Sequence, residues 1–138
     1  LKSLNVNLYL ITDGDVLGAL LVADPKNKVD IFMGIGGGPE GVLAAAALSC
    51  FNCQMQTKLI FQNDNEKIRA KKMGIKDLDR KYNINDIIKG DVIFCATGIT
   101  DGKLVKGIEN LGTKFRSETY VTHKSSKLFT TLSEDIKK

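Results

Sequence analysis

Three carboxylates and a run of glycines are the residues of this chain best suited to chemistry. Asp13-Gly14-Asp15 sets two acids around a glycine, directly after an apolar run. Glu40 stands in a second block, Gly34-Ile35-Gly36-Gly37-Gly38-Pro39-Glu40-Gly41, again directly after an apolar run. Glycines let backbone pass close to a ligand because no Cβ intervenes. Pro39 suits the first helical position, where its missing N–H costs nothing. A helix start offers free N–H groups and a partial positive charge, which together favour an anion. Glu40 is comfortable with that dipole but would repel a phosphate unless a cation lay between them. Carboxylates accept hydrogen bonds from sugar hydroxyls and are the hard oxygen ligands that magnesium and manganese prefer. Sugar phosphate with a divalent cation is the chemistry these residues fit best.

The elements that must carry them follow from periodicity. Alternation over residues 6–11 reads as a strand, and residues 16–22 have helical spacing stopped by Asp24-Pro25. Asp13 is a candidate side-chain cap for that helix. A second strand is expected near 29–35, followed by the glycine loop and a helix from Pro39 to about Cys50. A third strand is expected at 54–61, a cap at Asn63-Asp64-Asn65, and a charged helix over 66–73 ended by Gly74. Residues 85–90 read as one or two helical turns. Asp91 to Cys95 reads as an apolar strand leading into Ala96-Thr97-Gly98-Ile99-Thr100-Asp101-Gly102. Residues 115–122 and 127–132 form a hairpin across Lys124-Ser125-Ser126, and 133–138 are expected to fray. The fold class is α/β: a largely parallel sheet flanked by helices, with a C-terminal antiparallel hairpin. In such a sheet ligands gather beyond the carboxyl ends of the strands. The loops at 13–15 and 36–40 therefore belong on one edge, with 97–101 a candidate third.

Composition narrows the class. The 138 residues are 43% hydrophobic, enough for a single core. A net charge of +4 with lysines scattered among acids does not describe a nucleic-acid binder. The densest basic group, at 67–72, reads as a solvated helix face. No apolar run approaches ~20 residues, which excludes a membrane-spanning helix. No charged segment precedes the first apolar run, which argues against a secretory leader. Cys50 and Cys53 form one C-x-x-C without a second ligand pair, so free thiols in a reducing, cytoplasmic setting are expected. His123, the one histidine, reads as a surface residue. The chain begins with Leu and enters its first strand almost at once, which reads as part of a longer protein.

Other readings share the same residues. Gly36, Gly38 and Gly41 satisfy G-x-G-x-x-G, and Asp64 stands where a ribose-binding acid would be in a dinucleotide-binding domain. Against this, Glu40 would face the pyrophosphate without a cation. Asp13-Gly14-Asp15 also matches the short D-x-D clamp of nucleotide-sugar transferases. A non-catalytic scaffold domain is the third alternative.

Three blocks carry a resemblance. Ile11-Thr12-Asp13-Gly14-Asp15-Val16, the stretch from Met33 through Gly34-Ile35-Gly36-Gly37-Gly38-Pro39-Glu40-Gly41 to Ala45, and Ala96-Thr97-Gly98-Ile99-Thr100-Asp101-Gly102 follow the order and spacing of class II fructose-1,6-bisphosphatases. Residues 69–75 are similar as well. The resemblance implies that residues 1–138 are the C-terminal α/β domain of a two-domain sugar bisphosphatase whose N-terminal metal-binding domain lies upstream. It implies hydrolysis of the 1-phosphate of fructose 1,6-bisphosphate in gluconeogenesis and glycerol metabolism, with Mn2+ or Mg2+ as cofactor. Some members also take sedoheptulose 1,7-bisphosphate. By position, Asp13, Gly14, Asp15 and Gly37 match substrate-contacting residues, and Glu40 matches a catalytic, metal-binding carboxylate. Thr97 to Asp101 carry no assigned role. A cytoplasmic homo-oligomer, dimer or tetramer, is implied for the full-length enzyme. The fragment alone is expected to be inactive.

Overall fold

The computed structural model describes residues 2–12 and 14–138. Leu1 and Asp13 lie outside the described residues, and so do the expected cap and site role of Asp13. After a short 3-10 turn, Lys2–Leu4, the chain runs extended through residues 6–11 into helix α1, Asp15–Leu21. A second 3-10 turn, Pro25–Asn27, is capped by the Asp24 side chain accepting from Lys26 N. Residues 28–37 are extended or irregular and lead into helix α2, Gly38–Cys50. Next come strand β1, Gln56–Lys58; helix α3, Asp64–Lys72; strand β2, Lys81–Asn83; and the single turn α4, Ile84–Ile87. Strands β3, Ile93–Thr97; β4, Glu109–Asn110; β5, Lys114–His123; and β6, Leu128–Lys137 complete the chain.

Helix α2 is the centre of the core. Its alanine run lets neighbours approach closely, and Ala45 and Ala47 have no exposed surface. On one side Ala44 and Leu48 meet Ala19 of α1 and Ile84 of α4, with Phe32 and Met55 packed around them. On the other, Ala47 meets Leu20 and Phe94, joined by Val16, Leu104 and Tyr120. Gly18 allows α1 to sit on both extended segments: a Cβ there would stand 2.6 Å from the Phe32 ring and 2.7 Å from Ile11 Cδ1. That contact sets Ile11 and Phe32, one from each extended segment, against the same helix.

The α/β class stands, but the parallel sheet does not. Among the described residues all strand pairs are antiparallel: β1 with β2, and a four-stranded sheet in which β5 pairs with β3, β4 and β6. In the four-stranded sheet the physical reason is connectivity. A parallel neighbour needs a crossover, commonly a helix, whereas residues 98–108 connect β3 to β4 with none. The segments before α1 and α2 are extended, as their patterns predict, yet form no ladder among the described residues. Their side chains stay largely open, with Leu10 80%, Ile31 75% and Ile35 81% exposed. The chain exposes 10637 Å², where a compact chain of its 15.1 kDa would expose about 7,100 Å². Open apolar side chains such as these are characteristic of an interaction face.

Smaller differences have local causes. The third strand is only three residues, 56–58. Helix α3 starts two residues early because Asn63, not Asp64 or Asn65, caps it, accepting from Glu66 N at 3.0 Å. Gly74 follows that helix at φ 94, the left-handed geometry its C-terminus requires. The tail does not fray: β6 continues to Lys137, held by ten cross-strand pairs and by Arg116 Nε on Asp135 Oδ1 at 2.8 Å. The three thiols are free, Cys50 buried, Cys53 half-buried and Cys95 exposed. Burial pushes the Cys53 thiol up, the opposite of an activated cysteine. No helix among the described residues is long and apolar enough to cross a membrane.

Candidate functional site

The first acidic turn is built by a reversal of backbone hand. Gly14 adopts φ 83, ψ 49 as the N-cap of α1, a conformation that strains any residue with a Cβ. Its carbonyl accepts the first helical bond, from Gly18 N at 2.7 Å. Asp15 thereby becomes the first residue of α1, where a carboxylate is stabilised by the helix dipole. The second turn is built by Gly37, the extended N-cap of α2, with Gly38 as the first helical residue and Pro39 one place later than the sequence suggests. Glu40 then falls in the first turn.

The two loops meet. The position a Cβ would take on Gly36 is occupied by the Asp15 carboxylate, and the corresponding position on Gly37 by the Glu40 carboxylate. A side chain at either glycine would make the acid's flexible end move aside; neither glycine's own dihedral angles demand it, Gly37 having an ordinary φ of −68. Asp15 is half-buried and Glu40 exposed. Among the described residues neither carboxylate joins an ion pair.

The third loop, after β3, leans toward the same region. It is closed by Gly102 N to Val105 O at 3.0 Å, Gly107 N to Asp101 Oδ1 at 2.9 Å, and Ile108 N to Ile99 O at 3.2 Å. Gly107 permits it, since a Cβ there would stand 2.7 Å from the Thr100 carbonyl carbon. Leu104 packs into the cluster that holds Val16, the neighbour of Asp15. Lys103 reaches back to Tyr9, with Nζ 3.5 Å from the phenol oxygen and 5.1 Å from the ring centre.

The donor set suits a hard cation in kind but not in number. No three His, Cys, Asp or Glu side chains among the described residues come together as a metal-holding group. Glu40, with Asp15 one loop away, offers carboxylate oxygens of the type magnesium and manganese take. Two clefts of about 520 and 670 Å³ occur elsewhere. One is lined by Asp101, Lys106, Arg116 and Glu118 among others, the second by Asn52, Gln54, Asn83 and Lys124 among others. Neither contains Asp15, Gly36, Gly37 or Glu40.

One cluster escaped the sequence reading. His123 is not a plain surface residue: its side chain is 28% exposed and bonded at both nitrogens, to Asp91 Oδ2 and Ser126 Oγ, each at 2.8 Å. Asp91 also accepts from Ser125 Oγ at 2.6 Å and Ser125 N at 3.0 Å. Asp91 precedes β3 and Ser125 sits in the β5–β6 turn, at the end of β3 opposite to the loop that follows Thr97. No local pattern announces a contact between residues 34 positions apart.

Comparisons with known proteins bear on the same blocks. A family model described as bacterial fructose-1,6-bisphosphatase, glpX-encoded, matches residues 1–135. A D-fructose 1,6-bisphosphatase class 2/sedoheptulose 1,7-bisphosphatase of Synechococcus sp. (strain JA-3-3Ab) is 35% identical over 142 residues, which cover 92% of this chain and 40% of that protein. A fructose-1,6-bisphosphatase class 2 of Haemophilus influenzae is 36% identical over 141 residues, covering 92% and 42%. The chain spans about two fifths of the length of these relatives.

Proposed function

Since this chain belongs to the glpX-encoded bacterial fructose-1,6-bisphosphatase family, we propose that it supplies one wall of a metal-dependent sugar bisphosphatase. The reaction is hydrolysis of the 1-phosphate of fructose 1,6-bisphosphate to fructose 6-phosphate and phosphate, in the cytoplasm. Sedoheptulose 1,7-bisphosphate is a second substrate on this reading, as in the name of the Synechococcus relative. The observation that carries the proposal is the meeting of Asp15 with Gly36 and of Glu40 with Gly37 at two adjacent helix starts. A dinucleotide cradle would leave Glu40 facing the pyrophosphate, with no cationic side chain beside it among the described residues.

Each residue has a task. Asp15, with Asp13 two positions before it in the sequence, accepts hydrogen bonds from sugar hydroxyls and so fixes the sugar relative to the reacting phosphate. Gly36 and Gly37 let the sugar approach the backbone. Glu40 holds one Mn2+ or Mg2+, the remaining donors coming from residues beyond those described. When bound, the cations neutralise phosphoryl charge and activate the attacking water. The N–H groups in the first turn of α2 favour negative oxygens. The 138 residues on their own do not hydrolyse substrate, because they hold only one side of the site.

The test is Glu40→Gln in the full-length enzyme. Neutralising the carboxylate keeps its shape and should reduce turnover by at least roughly a hundredfold at ordinary manganese concentrations, as loss of a site-organising group does. The circular dichroism spectrum should be unchanged. Turnover near the wild-type rate sinks the assignment.

A further inference from the structure

We propose that the open edge of β6 pairs with the same edge of a second copy of this chain. The two strands run antiparallel about a twofold axis perpendicular to the sheet at Leu132. The two four-stranded sheets thereby become one continuous sheet. The inference is independent of the bisphosphatase reading and uses none of its residues.

The backbone supplies the first argument. β6 pairs with β5 along all ten of its residues and has no strand on its other side among the described residues. In an antiparallel ladder, successive residues bond to opposite sides. Lys138 N donates to Thr113 O at 3.2 Å, so the even-numbered residues of β6 bond to β5. The N–H and C=O groups of Phe129, Thr131, Ser133, Asp135 and Lys137 therefore point away from β5. Such a row is a template for another strand, which proteins commonly blunt with proline, a bulge, charge or a very short edge. β6 has no proline, and its register with β5 runs unbroken from Leu128 to Lys137. Its charges, Glu134, Asp135 and Lys137, all lie at one end.

The side chains select the partner and the register. Phe129 packs on Phe51 at the end of α2, with ring centres 4.7 Å apart, so the odd-numbered residues face the core side. Leu128, Leu132 and Ile136 stand on the opposite face, 45%, 56% and 52% exposed. Because the outward groups belong to odd-numbered residues, only registers that oppose odd with odd form hydrogen bonds. With Leu132 opposite the partner's Leu132, Leu128 meets the partner's Ile136 and Thr130 meets the partner's Glu134. The apolar stripe closes into one strip, and a hydroxyl stands opposite each Glu134 carboxylate. Asp135, already held by Arg116, falls opposite Phe129, so no acid faces an acid. Lys127, opposite the partner's Lys137, lies in the turn at φ 52 and outside the ladder. An axis at Ser133 would set Leu132 against Glu134, and one at Glu134 would oppose like charges. An edge covered by another part of a longer polypeptide would present the same bare row, and cross-linking separates the two.

The test uses the full-length enzyme carrying Leu132→Cys or Thr130→Cys. Opposed residues that exchange no hydrogen bonds have Cα atoms ~4.5 Å apart, within the span of a disulfide. Under mild oxidation, Leu132→Cys should therefore convert most of the protein to a covalent dimer on a non-reducing gel, and wild-type protein should not. The two Thr130 positions would be offset by about 14 Å along the strands, so Thr130→Cys should stay unlinked. Equal cross-linking of the two variants, or none in either, overturns the proposal. A Leu132→Cys thiol that is shielded from maleimide yet forms no cross-link also overturns it, in favour of a cover from the same polypeptide. As a second measurement, Thr131→Pro removes one outward N–H while leaving the bonds to β5 in place. With an unchanged circular dichroism spectrum, it should halve the mass seen by sedimentation, and an unchanged mass overturns the pairing. If Thr131→Pro does not fold, the cross-link decides alone.

Discussion

Nε2 of His123 lies 2.8 Å from Oδ2 of Asp91, tying the end of β5 to the residue that starts the approach to β3. The same carboxylate accepts from the Ser125 hydroxyl and from the backbone N–H groups of Val92 and Ser125. One aspartate thus gathers the hairpin turn and the neighbouring strand. The Ser125 hydroxyl is the largest influence, aided by His123 and the two N–H groups, and together they hold the Asp91 carboxyl well below the usual carboxylate range.

This arrangement predicts acid sensitivity with a definite sign. The folded state prefers ionised Asp91, so its contribution is present above the unfolded-chain pKa of about 3.9 and is lost as pH falls from there toward the lower folded value. Asp91→Asn should therefore lower the thermal midpoint at pH 7, and the gap from wild type should shrink as pH drops below about 4. Melting curves followed by circular dichroism across that range decide it. A gap independent of pH would mean that the charge of Asp91 contributes nothing.

The glycines of the second loop give a steric prediction. A methyl group on Gly37 would displace the Glu40 carboxylate, and one on Gly36 the Asp15 carboxylate, whereas one on Gly38 would meet nothing within 4 Å. In the full-length enzyme, Gly36→Ala and Gly37→Ala should each cost up to roughly a hundredfold in kcat/KM, as an ångström-scale misplacement does. Gly38→Ala should be nearly silent. Equal losses at all three positions would show that flexibility, not room for a carboxylate, is what the loop requires.

Thr122 offers a test of the core. It has no exposed surface, and its hydroxyl is the one buried side-chain polar atom among the described residues without a hydrogen-bond partner. Leaving such a group unsatisfied costs about 1–3 kcal/mol. Thr122→Val keeps the branched shape that suits the middle of β5 and removes the hydroxyl. Chemical denaturation should show unchanged or increased stability, by up to about 1 kcal/mol. A loss of more than that would indicate a hidden partner for the hydroxyl.

Much of the architecture is local, and so readable in advance. Helix α2 follows from a glycine-proline start and an alanine run. Helix α3 follows from Asn63 before it and Gly74 after it, and the terminal hairpin from two alternating segments around Lys124-Ser125-Ser126. The two acidic turns are equally local, because Gly14 and Gly37 each put a carboxylate into the first turn of a helix. What alternation does not encode is the direction or extent of pairing. Residues 6–11 and 29–35 are extended yet unladdered, and β3 turns back through a helix-free loop to an antiparallel partner. Residues 133–137 become strand because Arg116 and the rest of β5 lie opposite them.

The sequence by itself therefore determined the family, the presence of the helices and the identity of the carboxylates, all properties of short contiguous stretches. Tertiary structure alone decided that Asp15 would lie on Gly36, that Lys103 would cross to Tyr9, and that Asp91 would close on His123. Each of those contacts joins residues between 21 and 94 positions apart. Such contacts depend on how helices and strands pack around α2, and no spacing rule within a single element can specify them.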